Sequence, residues 1–303
     1  MDQATNLRRI IKKESKKIYR FPSSPADQSS SPENSPRVVA VTSGKGGVGK
    51  TNVVGNLAIA FQRMGKRVLI FDADLGLANI DIVFGLNPKH TIEDVIRGEK
   101  ELSQIITEGP EGVCVIPASS GVQELAHLED GQKINLLNEF DILNNRFDIL
   151  LVDTGAGISS NVIYFNLAVQ ERIIVVVPEP TSITDAYALM KVMYRQHGTQ
   201  NFYLLLNMVK NEKEAKSVYK HLSDVVARFM GGISINYAGF IPWDSRLHEA
   251  VARRQPAICC YPQTSLSHSF EVLARYFLNQ ANVESIDGNI KFFWKKLMAG
   301  VAD

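Results

Sequence analysis

Cysteine is scarce in this chain. Cys114, Cys259 and Cys260 are the only three in 303 residues, and none belongs to a C-x-x-C pair. That excludes a thiol-ligated zinc or iron–sulfur carrier and a disulfide-framed secreted domain, and it points to a reducing compartment. Long apolar runs are also missing: nothing approaches the roughly 18 residues that a membrane-spanning helix needs. The first twenty residues are charged and lack an apolar secretory core, so the expected location is cytoplasmic. The charges nearly cancel, 33 basic against 32 acidic for a net +1, so no direct nucleic-acid partner is expected. Six histidines (90, 127, 197, 221, 248 and 268) show no metal-ligand spacing.

What the chain does have is an alternation of apolar strand-length runs with helical segments. The runs are RVVAVTS, RVLIFDAD, VCVIPAS, FDILLVDTGAG, RIIVVVPEP, NFYLLLNMV and NYAGFIPWD. Strands apolar on both faces predict an α/β fold, a mostly parallel twisted sheet covered by helices on both sides. The polar clusters all follow strands, and in such sheets ligands collect at the strands' carboxyl ends. The first cluster, SGKGGVGKT at 43–51, has the spacing of a phosphate-binding loop between a strand and a helix. Backbone N–H groups of Gly46, Gly47, Val48 and Gly49 would cradle phosphates, with Asn52 on the first helical turn. Lys50 would reach the outer phosphates and Thr51 would offer its hydroxyl to Mg²⁺. The fold expected is therefore a P-loop NTPase.

Three carboxylates fall at strand ends. Asp153 suits a Mg²⁺ site, or else caps the next helix. Asp72 and Asp74 suit the metal and the attacking water, but spacing alone does not divide those roles, and either could simply turn the chain. Gly155 and Gly157 permit a backbone that moves when the γ-phosphate leaves, or serve a plain turn. Lys45 is the unusual residue, a second lysine inside the loop. A further cation near the β/γ bridge is worth about 10³–10⁵ in rate in related chemistry. Position 45 points away from the phosphates its own loop encloses, so the economical expectation is contact with the nucleotide of a facing subunit. The implied cofactors are ATP and Mg²⁺, and the implied partner is a second copy in an ATP-dependent homodimer.

GKGGVGKT with its early lysine resembles the deviant Walker A motif of the MinD/ParA class of P-loop ATPases. DADLGLANIDIVFGL (72–86), VDTGAGIS (152–159), EPTSITDAYALMK (179–191) and IPWD (241–244) are similar to the flagellar number and placement regulators within that class. The resemblance covers about residues 37–277. It implies Lys45, Lys50 and Asp74 as catalytic groups and Asp72 near Mg²⁺. It also implies adenine near Asn207 and Pro242, and partners among flagellar switch or C-ring proteins or a transcription regulator.

Two tails complete the expected layout: an arm (1–20), a Pro/Ser tether (21–36), the ATPase domain (37–280) and a C-terminal segment (281–303). The arm carries seven basic and two acidic residues. Its DQATNLR resembles an element by which some members of the family activate the signal-recognition-type GTPase FlhF, with Gln3 orienting the attacking water; a basic helix resting on acidic lipid is the other reading. At the other end, Ile290, Phe293, Trp294 and Leu297 share one helical face opposite lysines, a pattern suited to an anionic membrane surface; a helix packed back on its own domain is the other reading. Doubling that helix in a dimer would strengthen attachment by about 10²–10⁴. A partition ATPase, a division-site regulator of the MinD type, and an ATP-binding scaffold with little turnover are the alternatives.

Overall fold

The computed structural model describes residues 36–74, 79–117, 139, 143 and 146–280. Gln3, Ile290, Phe293, Trp294 and Leu297 lie outside the described residues, as do the arm, the tether up to residue 35 and the C-terminal segment.

The strands are β1 (Arg37–Ser43), β2 (Val68–Ala73), β3 (Thr107–Glu108), β4 (Cys114–Ile116), β5 (Ile149–Ala156), β6 (Glu171–Val176), β7 (Asn201–Val209) and β8 (Ser234–Pro242). They form one sheet in the order β3-β4-β2-β5-β1-β6-β7-β8. Every neighbouring pair is parallel except β3 with β4. Among the described residues, the seven strands in parallel pairs fall on the seven apolar runs. The antiparallel edge of two residues has no periodicity to reveal it in the sequence, because a two-residue strand is shorter than the alternation that marks one.

The helices are α1 (Lys50–Arg63), α2 (Ile80–Phe84), α3 (Ile92–Ile96), α4 (Leu102–Ile105), α5 (Ser160–Ala168), α6 (Pro180–His197), α7 (Glu212–Phe229), α8 (Ser245–Ala252), α9 (Ala257–Cys260) and α10 (Ser265–Asn279). Alternation along β1 sends Val39 and Val41 to the layer holding α1 and α10, and Val38 and Ala40 to the opposite layer. There α5 continues the core toward α6 and α7. α10 buries Leu266, Phe270, Leu273, Ala274 and Phe277, a stripe at helical spacing. Its N-cap is Thr264, whose side chain accepts the Ser267 N–H. No helix among the described residues is long and apolar enough to cross a membrane.

At the amino ends of the strands, Arg37 of β1 donates to both carboxylate oxygens of Glu171 at the start of β6, and to the Phe277 carbonyl of α10. The guanidinium lies 5.6 Å from the Phe277 ring centre. All three groups are buried, so this clamp ties two strands and the last described helix into one unit at the pole far from the phosphate loop. At the other pole, β1 connects to β2 on one side while β5 connects to β6 on the other. That switch in strand order opens a crevice at the carboxyl end of β1.

Candidate nucleotide site

The phosphate loop occupies that crevice. Gly47 and Gly49 have φ of +76° and +89°, left-handed conformations that a Cβ would strain. Gly44 is required for space instead: a Cβ there would stand 2.2 Å from the Asp185 carbonyl carbon and oxygen in α6. Loop and helix backbone are thus in direct contact. Val48 is buried in the core below the loop, and Gly49 caps α1, which begins at Lys50. The first N–H groups of that long, buried helix therefore face the crevice, as anion binding requires.

The two lysines part company. Lys50 is buried; its Nζ lies 3.0 Å from Ser43 Oγ, which in turn donates to the Lys45 carbonyl at 2.7 Å. Burial lowers the Lys50 pKa, while Asp153 and Asp74 favour its charged form. Lys45 turns outward, with Nζ 2.6 Å from Glu179 Oε2 and 3.0 Å from Thr181 Oγ1.

The carboxylates converge on Lys50. Val41, Asp72 and Asp153 occupy one register level of β1, β2 and β5, with Asp153 between the other two. Asp153 is fully buried, and among the described residues neither of its oxygens receives a direct hydrogen bond, with the Thr51 hydroxyl its nearest donor. Burial pushes it up to about 8, the Asp72 charge adds to this, and the Thr51 hydroxyl and Lys50 pull the other way. Burial also raises Asp72, to about 6, against three backbone N–H groups that favour its charge. Those donors are Asp74 at 3.2 Å, Asn79 at 3.1 Å and Ile80 at 3.2 Å. Asp72 thus holds the start of α2 as well as lying beside Asp153. The Asp74 carboxylate lies beside Gly155, where an added Cβ would sit 3.5 Å from Oδ1.

Two buried carboxylates, one of them short of donors among the described residues, beside a threonine hydroxyl and a phosphate cradle fit a hard divalent cation. Among the described residues no three His, Cys, Asp or Glu side chains form a protein-only metal cage. Mg²⁺ takes one or two carboxylates and completes its shell with water and substrate phosphates.

Other expected residues occupy different places around this centre. Thr51 and Asn52 are half-buried on the first turn of α1. Gly46 is exposed with open space around it. Asn207 is buried at the end of β7, and its Nδ2 donates to the Val48 carbonyl at 2.8 Å, so it braces the loop from below. The next residue, Met208, has φ of +56°, and the pairing of β7 with β8 shifts register there. Pro242 ends β8 opposite Val209, next to Trp243, which is 60% exposed. Ser43, Glu179 and Thr181 received no role from the sequence. Ser43 was legible as the residue opening the loop, whereas Glu179 lies 134 positions from Lys45 and only the fold brings them together.

A doubly wound parallel sheet whose central strand enters a glycine loop and a helix N-terminus defines a P-loop nucleotide-binding protein. Residues 39–257 match the model of the CobQ/CobB/MinD/ParA nucleotide binding domain. The chain belongs to that family. It is 42% identical over 262 residues to the antiactivator FleN of Pseudomonas aeruginosa, covering 86% of this chain and 93% of that one. It is 32% identical to the flagellum site-determining protein YlxH of Helicobacter pylori, covering 86% and 90%. Among solved structures it resembles the MinC:MinD cell division complex of Aquifex aeolicus, at 25% identity and a TM-score of 0.65, covering 82% of this chain and 98% of that one. MinD of Pyrococcus horikoshii with Mg-ADP has the same TM-score at 24% identity and shares the fold.

Proposed function

We propose that this protein is a Mg²⁺-dependent ATPase that regulates flagellar number and placement, acting as a homodimer assembled around ATP. The observation that carries the enzymatic part is the fully buried Asp153 carboxylate beside Thr51 and Lys50 at the head of α1. The flagellar part is supported by the similarity to the flagellum site-determining protein YlxH of Helicobacter pylori.

In this reading the loop N–H groups and the α1 N-terminus hold the phosphates, and Lys50 supplies positive charge from inside the fold. Thr51 and Asp153, with Asp72 behind them, would hold Mg²⁺, which when bound neutralises charge on the phosphate oxygens. Asp74, next to Gly155 and charge-coupled to Lys50, orients the attacking water. Lys45 contributes its charge to the nucleotide of the second copy. Asn207 and Pro242 border the adenine. The arm, through Gln3, stimulates a GTPase of the FlhF type, and the 290–301 face attaches the dimer to anionic lipid, peripheral on the cytoplasmic face of the membrane.

The enzymatic part is tested by turnover at saturating Mg-ATP for the wild type and Asp74→Ala. A fall of about 10²-fold, the scale of a lost positioned base, is expected. Equal rates would leave a nucleotide-gated scaffold instead. The flagellar part is tested by GTP turnover of a purified FlhF-type GTPase with the 1–20 peptide and its Gln3→Ala form. Stimulation lost with the substitution is the expected result. Its absence would make the arm a lipid or scaffold contact and favour a division-site role.

A further inference from the structure

Helix α9 has no side-chain cap of its own. Its N-cap position is Pro256, whose ring offers no acceptor to the first helical N–H groups. The Ile258 N–H is bonded nonetheless. It donates at 2.8 Å to Asn56 Oδ1, which stands on α1, 202 positions away. Asn56 Nδ2 in turn donates at 2.8 Å to the Asn52 carbonyl, one turn back toward the phosphate loop. Asn56 is fully buried, and the neighbouring Leu57, Ala257 and Ile258 share one apolar core. A buried amide engaged at both ends holds its neighbours to one geometry, because a slip of either helix leaves a polar group unpaired.

α9 belongs to the segment that flanks the base site. Pro242 ends β8, Trp243 follows it, and Asp244 caps α8 by accepting the Arg246 N–H at 2.9 Å. α8 and α9 are tied to each other: the hydroxyl of Tyr261, at the C-cap of α9, donates to Glu249 of α8 at 2.7 Å. Leu247 and Ala250 of α8 bury in the same core as Ala257 and Ile258. Residues 242–261 therefore form one unit, anchored near both ends. At one end the Trp243 N–H donates to the Val209 carbonyl of β7 at 2.9 Å. At the other, Asn56 holds Ile258.

We propose that Asn56 is a positioning residue for the nucleotide base: from the phosphate-loop helix it holds residues 242–261 at the spacing that lets one ligand engage both the loop and the base-flanking residues. The proposal rests on the ATPase reading above, in which Asn207 and Pro242 border the adenine. Phosphates held by α1 and a base held at the ends of β7 and β8 add their contacts only when those elements keep a fixed separation. A side chain on α1 bonded to the far segment sets that separation. Asn56 thus gives selectivity for a base-bearing ligand without touching it.

The test compares two ligands on the full chain, each displacing a fluorescent ADP analogue in the presence of Mg²⁺: unlabelled ADP, and inorganic triphosphate, which has no base. Asn56→Leu keeps the side-chain volume and removes both bonds. It should weaken ADP about tenfold and triphosphate less than about twofold. Pro256→Ser, added to Asn56→Leu, gives α9 a local cap and should recover part of any lost urea stability. Selectivity for ADP should stay low in that double variant, because the link to α1 is still missing. Selectivity restored by Pro256→Ser would overturn the proposal and make Asn56 a cap for α9 alone. Equal weakening of ADP and triphosphate would overturn it too, by placing the effect on the loop. Wild-type selectivity in Asn56→Leu would do the same. A wild type that binds ADP no more tightly than triphosphate would sink the base reading itself, separately from any result at Asn56.

Discussion

Asp153 makes a pH-dependent stability signature that can be worked out in advance. Its pKa in the folded chain is raised to about 8, and that of Asp72 to about 6, against 3.8 for an ordinary aspartate. Between the unfolded and folded values the native state holds more protons than the unfolded one, so stability falls as pH rises. Asp72 contributes to this fall from about pH 4 to 6, and Asp153 from about pH 4 to 8. The slope for one group is at most about 1.4 kcal/mol per pH unit. Lys50 shares the site and its charge favours ionised Asp153, so the fall between pH 5 and 8 stays below that limit. The perturbation is Asp153→Asn, which keeps shape and removes the buried charge. Urea unfolding of nucleotide-free protein from pH 5 to 8.5 should show wild-type stability declining and the variant nearly flat, apart from Asp72. The variant should be the more stable protein at pH 8. With Mg-ATP the order should reverse, because a bound cation favours the ionised carboxylate that the variant lacks. A wild type whose nucleotide-free stability is level across this range, or an Asp153→Asn protein less stable at pH 8 without nucleotide, would refute the reasoning.

Three further outcomes follow from single contacts. Gly44→Ala places a Cβ 2.2 Å from the Asp185 carbonyl, so loop and helix must separate; the variant should lose its nucleotide-dependent rise in Tm while still folding. Arg37→Ala leaves Glu171 buried without its cation and should cost about 3–5 kcal/mol in urea unfolding, with ATP affinity unchanged in the folded fraction because the clamp lies at the opposite pole. Burial and the neighbouring Glu111 carboxylate push the Cys259 thiol up to about 12, so its alkylation at pH 8 should run more than about tenfold slower than that of a free thiol, and Glu111→Gln should speed it.

The sequence alone determined the parts whose signal is local. Seven strands are legible because parallel strands buried on both faces leave continuous apolar runs, and β1 and β7 begin and end where those runs do. The phosphate loop is legible because its glycines, Lys50 and Thr51 must occur at fixed spacing between a strand and a helix. Asp72, Asp74 and Asp153 could be found at strand ends but not told apart. Their separation came from tertiary contacts: Asp72 accepting the N–H groups of Asn79 and Ile80 at the start of α2, Asp74 beside Gly155, Asp153 fully buried beside Thr51 and Lys50. Tertiary structure alone decided that Asn207 braces the Val48 carbonyl, that Arg37 clamps Glu171 to α10, and that Lys45 lies against Glu179. Each of these joins residues more than a hundred positions apart, and no local periodicity or spacing encodes such a pairing; strand order in the sheet does.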